Sequence, residues 1–100
     1  MQDDVNTMLD AVNNERSFLL FLKAMAVNWE RERKIESIAP SSPYGAGANG
    51  WQNGTIGTYL EAAARWGLES IHGLPLAGYA KSDNPWRRAA QILYMGKIYE

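Results

Sequence analysis

Few residues in this chain combine the type and the spacing that chemistry needs. Gly45, Gly47 and Gly50 fall in a G-x-G-x-x-G pattern, which in a dinucleotide-binding unit follows a strand and opens a helix. Here Pro-Ser-Ser-Pro-Tyr precedes the glycines and Trp-Gln-Asn-Gly follows them, so the pattern reads as consecutive turns and no cofactor is expected. His72 is the sole histidine and cysteine is absent. A transition-metal site would then need several carboxylates at matched spacing, and the sequence offers none. His72, beside Gly73, reads instead as the end of a helix, capping its last carbonyls. Ser41 and Ser42 lack an identifiable base. Glu61 and Glu69 stand eight apart, as exposed charges on one helix would. The expectation is a chain without catalytic residues, metal or cofactor.

The stretch from residue 40 to residue 54 is the most unusual segment. It holds four of the nine glycines and two of the four prolines, and no charge occurs anywhere between Glu36 and Glu61. A solvated linker would carry charge or a monotonous Gly/Ser composition. This segment carries Tyr44 and Trp51 among residues that dictate turns, so it reads as an ordered loop with at least one glycine at positive φ. Asn53-Gly54-Thr55 matches a glycosylation acceptor, but without a secretory signal it reads as a helix cap.

The elements that would position these residues are helical. Val5, Met8, Leu9 and Val12 share one helix face, and Asn13-Asn14 offers a break, although a helix running straight through is also compatible. From Glu15 the stripe Phe18, Phe21/Leu22, Met25 and Trp29 continues to Ile38, with Glu30-Arg-Glu-Arg-Lys34 as a solvated end, until Pro40 forbids extension. Asn53 or Thr55 can cap a third helix, and Thr58-x-x-Glu61 matches a capping box. Its buried face would be Ile56, Tyr59/Leu60, Ala63, Trp66/Gly67 and Ile71, kept thin by Ala62-Ala63-Ala64 and Gly67 so that another helix can approach closely. A second loop follows from Leu74 to Ser82. Asn84-Pro85 is the clearest helix start in the chain. The pattern predicts an all-α fold, a compact three- to four-helix bundle with helices near 4–13, 15–38, 54–72 and 85–98. The expected core is Phe18, Leu22, Met25, Trp29, Leu60, Ala63, Trp66, Trp86, Ala90 and Leu93.

One hundred residues make one domain, and 46% hydrophobic content with 11% aromatics is globular. Ten basic and eleven acidic side chains give a net charge of −1, which argues against nucleic acid or an anionic membrane as partner. The acidic start, Met1-Gln2-Asp3-Asp4, the lack of a long apolar run and the missing cysteines fit a soluble cytoplasmic protein.

Phe18-Leu-x-x-Leu22, Trp51-x-Asn53-x-Thr55, Tyr59-Leu-Glu-Ala62, Trp66, Trp86-x-x-x-Ala90-x-Ile-Leu93 and Tyr99-Glu100 resemble a small bacterial family of unknown function, over roughly residues 15–100. The resemblance implies the all-α fold, and it implies no activity and no functional residues.

The leading functional expectation is a non-catalytic protein-binding module that presents the 40–54 loop. Small immunity or antitoxin-type proteins work this way, an analogy from size and class alone. Candidate binding residues are Tyr44, Asn49, Trp51 and Asn53 on the loop, with Trp86 and Arg87 at the fourth helix. Trp51 reads either as a lid on the bundle or as an exposed anchor. Arg87 and Arg88 read as solvated, unless one reaches loop carbonyls. The alternative is a small-ligand pocket lined by Trp51, Tyr59, Trp66 and Trp86 between the loop and the third and fourth helices. Self-association through the thin Ala/Gly face is a further option.

Overall fold

Three of the described helices begin where a side chain can take up the amide protons that a first turn leaves unpaired. A computed structural model describes residues 5–40, 50–76 and 82–99, which contain α1 (Val5–Asp10), α2 (Glu15–Ile38), α3 (Ile56–Leu76) and α4 (Pro85–Ile98) and no strand. The fold is an all-α bundle. Asn14 caps α2: its Oδ1 accepts from the Ser17 amide at 2.9 Å, while Ser17 Oγ accepts from the Asn14 amide at 3.0 Å. This reciprocal box separates α1 from α2. At α4, Asn84 Oδ1 accepts from the amides of Trp86 and Arg87 at 3.0 and 3.1 Å, and Pro85 follows as the first helical residue.

Of the two expected caps for the third helix one holds, and the expected end of that helix is corrected. The cap of α3 is Thr55, whose Oγ1 accepts from the Thr58 amide at 3.1 Å while Thr58 Oγ1 accepts from the Thr55 amide at 3.3 Å. Neither Asn53 nor a Thr58–Glu61 box caps this helix. The helix also does not stop at His72-Gly73. Gly73 lacks a positive φ, and α3 runs on to Leu76, because glycine permits a left-handed stop without imposing one. Gly50, with φ of 82°, is the left-handed glycine of the described residues. It sets the chain direction into Trp51.

Helix α4 lies in the middle. It packs on α3 on one side and on α2 and α1 on the other, and α2 and α3 do not pack on each other among the described residues. The thin face of α3 is used here: Ala62, Ala63 and Gly67 are buried, and Gly96 of α4 comes so close that an added Cβ would stand 3.0 Å from the Cβ of Ala63 and the carbonyl of Tyr59. Ala62, Ala63 and Gly67 are therefore covered within the chain, whereas Ala64, expected on the same face, is exposed.

The core is Val5, Val12, Phe21, Met25 and Ala90, with Phe18, Trp51, Tyr59 and Leu93 packed around it. Met25, Ala63 and Ala90 are buried as expected, while Leu22, Leu60 and Trp86 are exposed. Ile56 and Ile71, expected on the buried face of α3, are exposed as well. Helix α2 turns Phe21, Met25, Asn28 and Glu32 inward, a face that keeps Met25 but is rotated by about 60° from Phe18, Leu22, Met25 and Trp29. Glu32 belongs to the segment expected to be solvated, yet it is 0% exposed.

Arg87 and Arg88 are not solvated. Arg87 donates from Nε to the Val12 carbonyl at 3.0 Å and from Nη2 to the Asp10 carbonyl at 2.6 Å, satisfying acceptors at the open end of α1. Arg88 Nη2 donates to the Gly67 carbonyl at 3.1 Å and to Ser70 Oγ at 2.6 Å, which fastens α4 to α3.

Candidate functional site

The site grows from the buried polar pair on α2. Asn28 and Glu32 stand four residues apart, so their side chains leave the same face of the helix. Asn28 Oδ1 accepts the indole N–H of Trp51 at 2.7 Å, and Glu32 Oε1 accepts the Trp51 backbone N–H at 3.3 Å. The other oxygen of Glu32 accepts from Arg33 Nη2 at 2.7 Å. A buried carboxylate needs such partners, since its desolvation costs several kcal/mol or more. One helix thus grips Trp51 by ring and backbone together.

Aromatic packing completes the grip. The Trp51 ring meets Trp29 edge-on at 5.1 Å between centroids and Tyr59 at 5.9 Å. Lys97 Nζ lies 5.6 Å from the Trp51 ring centre and 5.9 Å from that of Tyr94, and Arg33 stacks 4.2 Å above Trp29. Both cations are placed over negative ring faces. Behind Trp51, Gln52 donates its backbone N–H to the Lys97 carbonyl at 2.9 Å. The Asn53 Nδ2 group donates to the carbonyls of Gly96 and Tyr99 at 3.0 and 2.8 Å. The segment leading into α3 is therefore fastened to both α2 and the end of α4.

An open cavity of about 310 Å³ lies beside this cluster, walled by Met25, Ala26 and Trp29 of α2, by Trp51, Asn53, Gly54 and Thr55, and by Ile56 and Tyr59 of α3. Its side-chain N–H and O–H groups are engaged elsewhere. The Trp51 N–H goes to Asn28, the Asn53 amide to α4, the Thr55 hydroxyl to Thr58, and the Tyr59 hydroxyl donates to the Leu93 carbonyl at 2.6 Å. Burial pushes the Tyr59 phenol up to about 12, so it stays neutral. Chemically the cavity offers apolar and aromatic surface to whatever enters it.

The sequence-based candidates divide. Trp51 and Asn53 are brought together here. Trp51 is a half-buried lid, and Asn53 holds the segment in place. Tyr44 and Asn49 lie outside the described residues, as do the other positions from 41 to 49. Trp86 stacks on Phe18 at 5.5 Å, and Arg87 holds the α1–α2 connection, so both act away from the cavity. The expected pocket wall of Trp66 and Trp86 is replaced by Trp29. Asn28 and Glu32 were missed. The available signal was their place in the series Phe21, Met25, Asn28, Glu32, which keeps a strict 3–4 spacing and continues an apolar face with polar residues.

A profile of the family of unknown function DUF7660 matches residues 14–100. The chain belongs to that family. The match begins at Asn14, the cap of α2, so the DUF7660 region includes every residue of the Trp51 cluster and leaves out α1. No curated protein and no solved structure matches the chain. Among the described residues, no helix is long and apolar enough to cross a membrane, and no group of three or more His, Cys, Asp or Glu side chains could hold a metal ion.

Proposed function

We propose that this chain is a non-catalytic protein-binding module, and that its docking point is the cavity beside Trp51, at the foot of the 40–54 loop. The observation that carries the reading is the state of the cavity's polar groups. Trp51, Asn53, Thr55 and Tyr59 line it, yet their side-chain N–H and O–H groups are engaged within the fold. Pockets for polar metabolites hold a few convergent donors and acceptors to fix orientation. This cavity offers rings and methyl groups instead, on a floor held rigid by α2. Such a surface suits a protruding aliphatic or aromatic side chain of a partner, the kind of anchor that dominates binding at protein interfaces. Prior fixation of the Trp51 segment lowers the ordering cost of binding.

The test uses Ala26, an exposed α2 residue at the cavity wall. Ala26→Glu puts a carboxylate at the mouth at little cost in helix propensity. A protein retained from native cell extract by the wild-type chain and lost with Ala26→Glu is the expected result. Equal capture by both chains would reject this docking point.

A second reading, an apolar small ligand, is favoured by the volume, at the lower end of the roughly 300–1,000 Å³ range of ligand sites. Trp29 and Trp51 would report such a ligand by a fluorescence change in a metabolite screen.

A further inference from the structure

A second surface lies on the outward side of α3, away from α4. Ile56, Leu60, Ala64 and Leu68 recur every four residues, and Ile71 extends the row on the same side of the helix. All five are exposed, Leu60 by 56% and Leu68 by 70%. The row from Ile56 to Ile71 spans about 22 Å at the rise of an α-helix. A contiguous apolar row of this length is uncommon on a monomer surface and marks an interaction site.

The geometry points to a second copy of this chain as the occupant, with the two α3 helices antiparallel and crossing at Ala64. Three features of the row support this choice. First, it is self-complementary. A two-fold axis through Ala64 sets Leu60 against Leu68 of the other copy and Leu68 against its Leu60, the reciprocity that an isologous interface requires. Second, Ala64 is the smallest side chain in the row and stands where the two backbones come nearest. Third, the charges bordering the row are also self-complementary. Glu61 and Arg65 lie along one edge, exposed and paired with each other at 3.2 Å. The two-fold axis brings Arg65 of each copy to Glu61 of the other, so each pair gains a second partner. The net charge of −1 adds no appreciable repulsion between copies. Ile56 also stands at the wall of the Trp51 cavity, whereas Leu60, Ala64, Leu68 and Ile71 do not line it, so a change at Leu68 tests this surface apart from the docking point.

The test is the solution mass of the full chain by light scattering and analytical ultracentrifugation over a dilution series. The expected wild-type result is a reversible species of twice the 11.2 kDa chain mass. Leu68→Glu should raise the dimer dissociation constant at least about tenfold, with helical circular dichroism unchanged because Leu68 packs against little within its own chain. Arg65→Glu should also weaken the dimer, by placing four carboxylates along the seam. The double change Glu61→Arg with Arg65→Glu should restore it, because the swap keeps each cross-pair opposite in sign. A monomeric wild type at all concentrations would overturn the proposal and leave the row to a different protein. A dimer indifferent to Leu68→Glu would place the association on another face. A double swap no better than Arg65→Glu alone would reject the antiparallel register at Ala64.

Discussion

Asn28 and Trp51, separated by 23 positions in the chain, meet through an N–H to Oδ1 hydrogen bond of 2.7 Å at the junction of α2 with the segment leading into α3. Removing that donor while keeping a ring isolates its contribution. Trp51→Phe deprives the buried Asn28 Oδ1 of this donor and should lower stability by about 1–3 kcal/mol. Trp51→Ala, which also empties the space against Trp29 and Tyr59, should cost about 3 kcal/mol or more. Urea unfolding measures both. Amide exchange should rise at residues 50–55 in the Ala variant while α2 and α4 stay protected; uniform loss of protection would show that Trp51 supports the whole bundle.

The inward face of α2 gives a sharp contrast between neighbours. Phe21 is fully buried, whereas Leu22 is 36% exposed. Phe21→Ala should cost about 3–5 kcal/mol, and Leu22→Ala about 1 kcal/mol. Comparable losses at the two positions would contradict the rotation of α2 described above.

Two glycines should respond with opposite signs. An added Cβ at Gly96 would press on the Tyr59 carbonyl at 3.0 Å, while nothing stands within 4 Å at Gly73. Gly96→Ala should destabilise by about 1–3 kcal/mol, since backbone cannot yield as a flexible side chain does. Gly73→Ala, in a helix with ordinary φ, should stabilise by about 0.4–1 kcal/mol through the unfolded chain. Thermal midpoints read both.

Tyr59 makes stability depend on alkaline pH. Its folded value is about 12 against an ordinary 10.0, so between these values the folded chain holds a proton that the unfolded chain has released. Its contribution is complete below pH 10 and is lost as pH rises toward 12. Wild type should therefore lose stability more steeply across that window than Tyr59→Phe, in paired urea titrations. Parallel pH profiles would show that the phenol is not held by burial and the Leu93 carbonyl.

The helical class, the Asn84-Pro85 start and the thin face of α3 were legible in the sequence, while the break at Asn13-Asn14 was one of two readings it allowed. Each rests on local stereochemistry or on a periodicity confined to one helix, which neighbouring residues alone can satisfy. The membership in a family of unknown function was legible too, from spaced aromatic and apolar positions.

What the tertiary structure decided is which face turns inward and which polar groups meet. Residues 18–22 are all apolar, Phe-Leu-Leu-Phe-Leu, so periodicity alone cannot choose between Phe21 and Leu22. The choice places Asn28 and Glu32 where Trp51 needs acceptors, and that need arises 19 and 23 residues away. In the same way Asn53, a good cap by type, leaves capping to Thr55 and reaches Gly96 and Tyr99, 43 and 46 residues on. Buried polar groups must find partners wherever the chain supplies them. Such pairings are settled only when the helices come together.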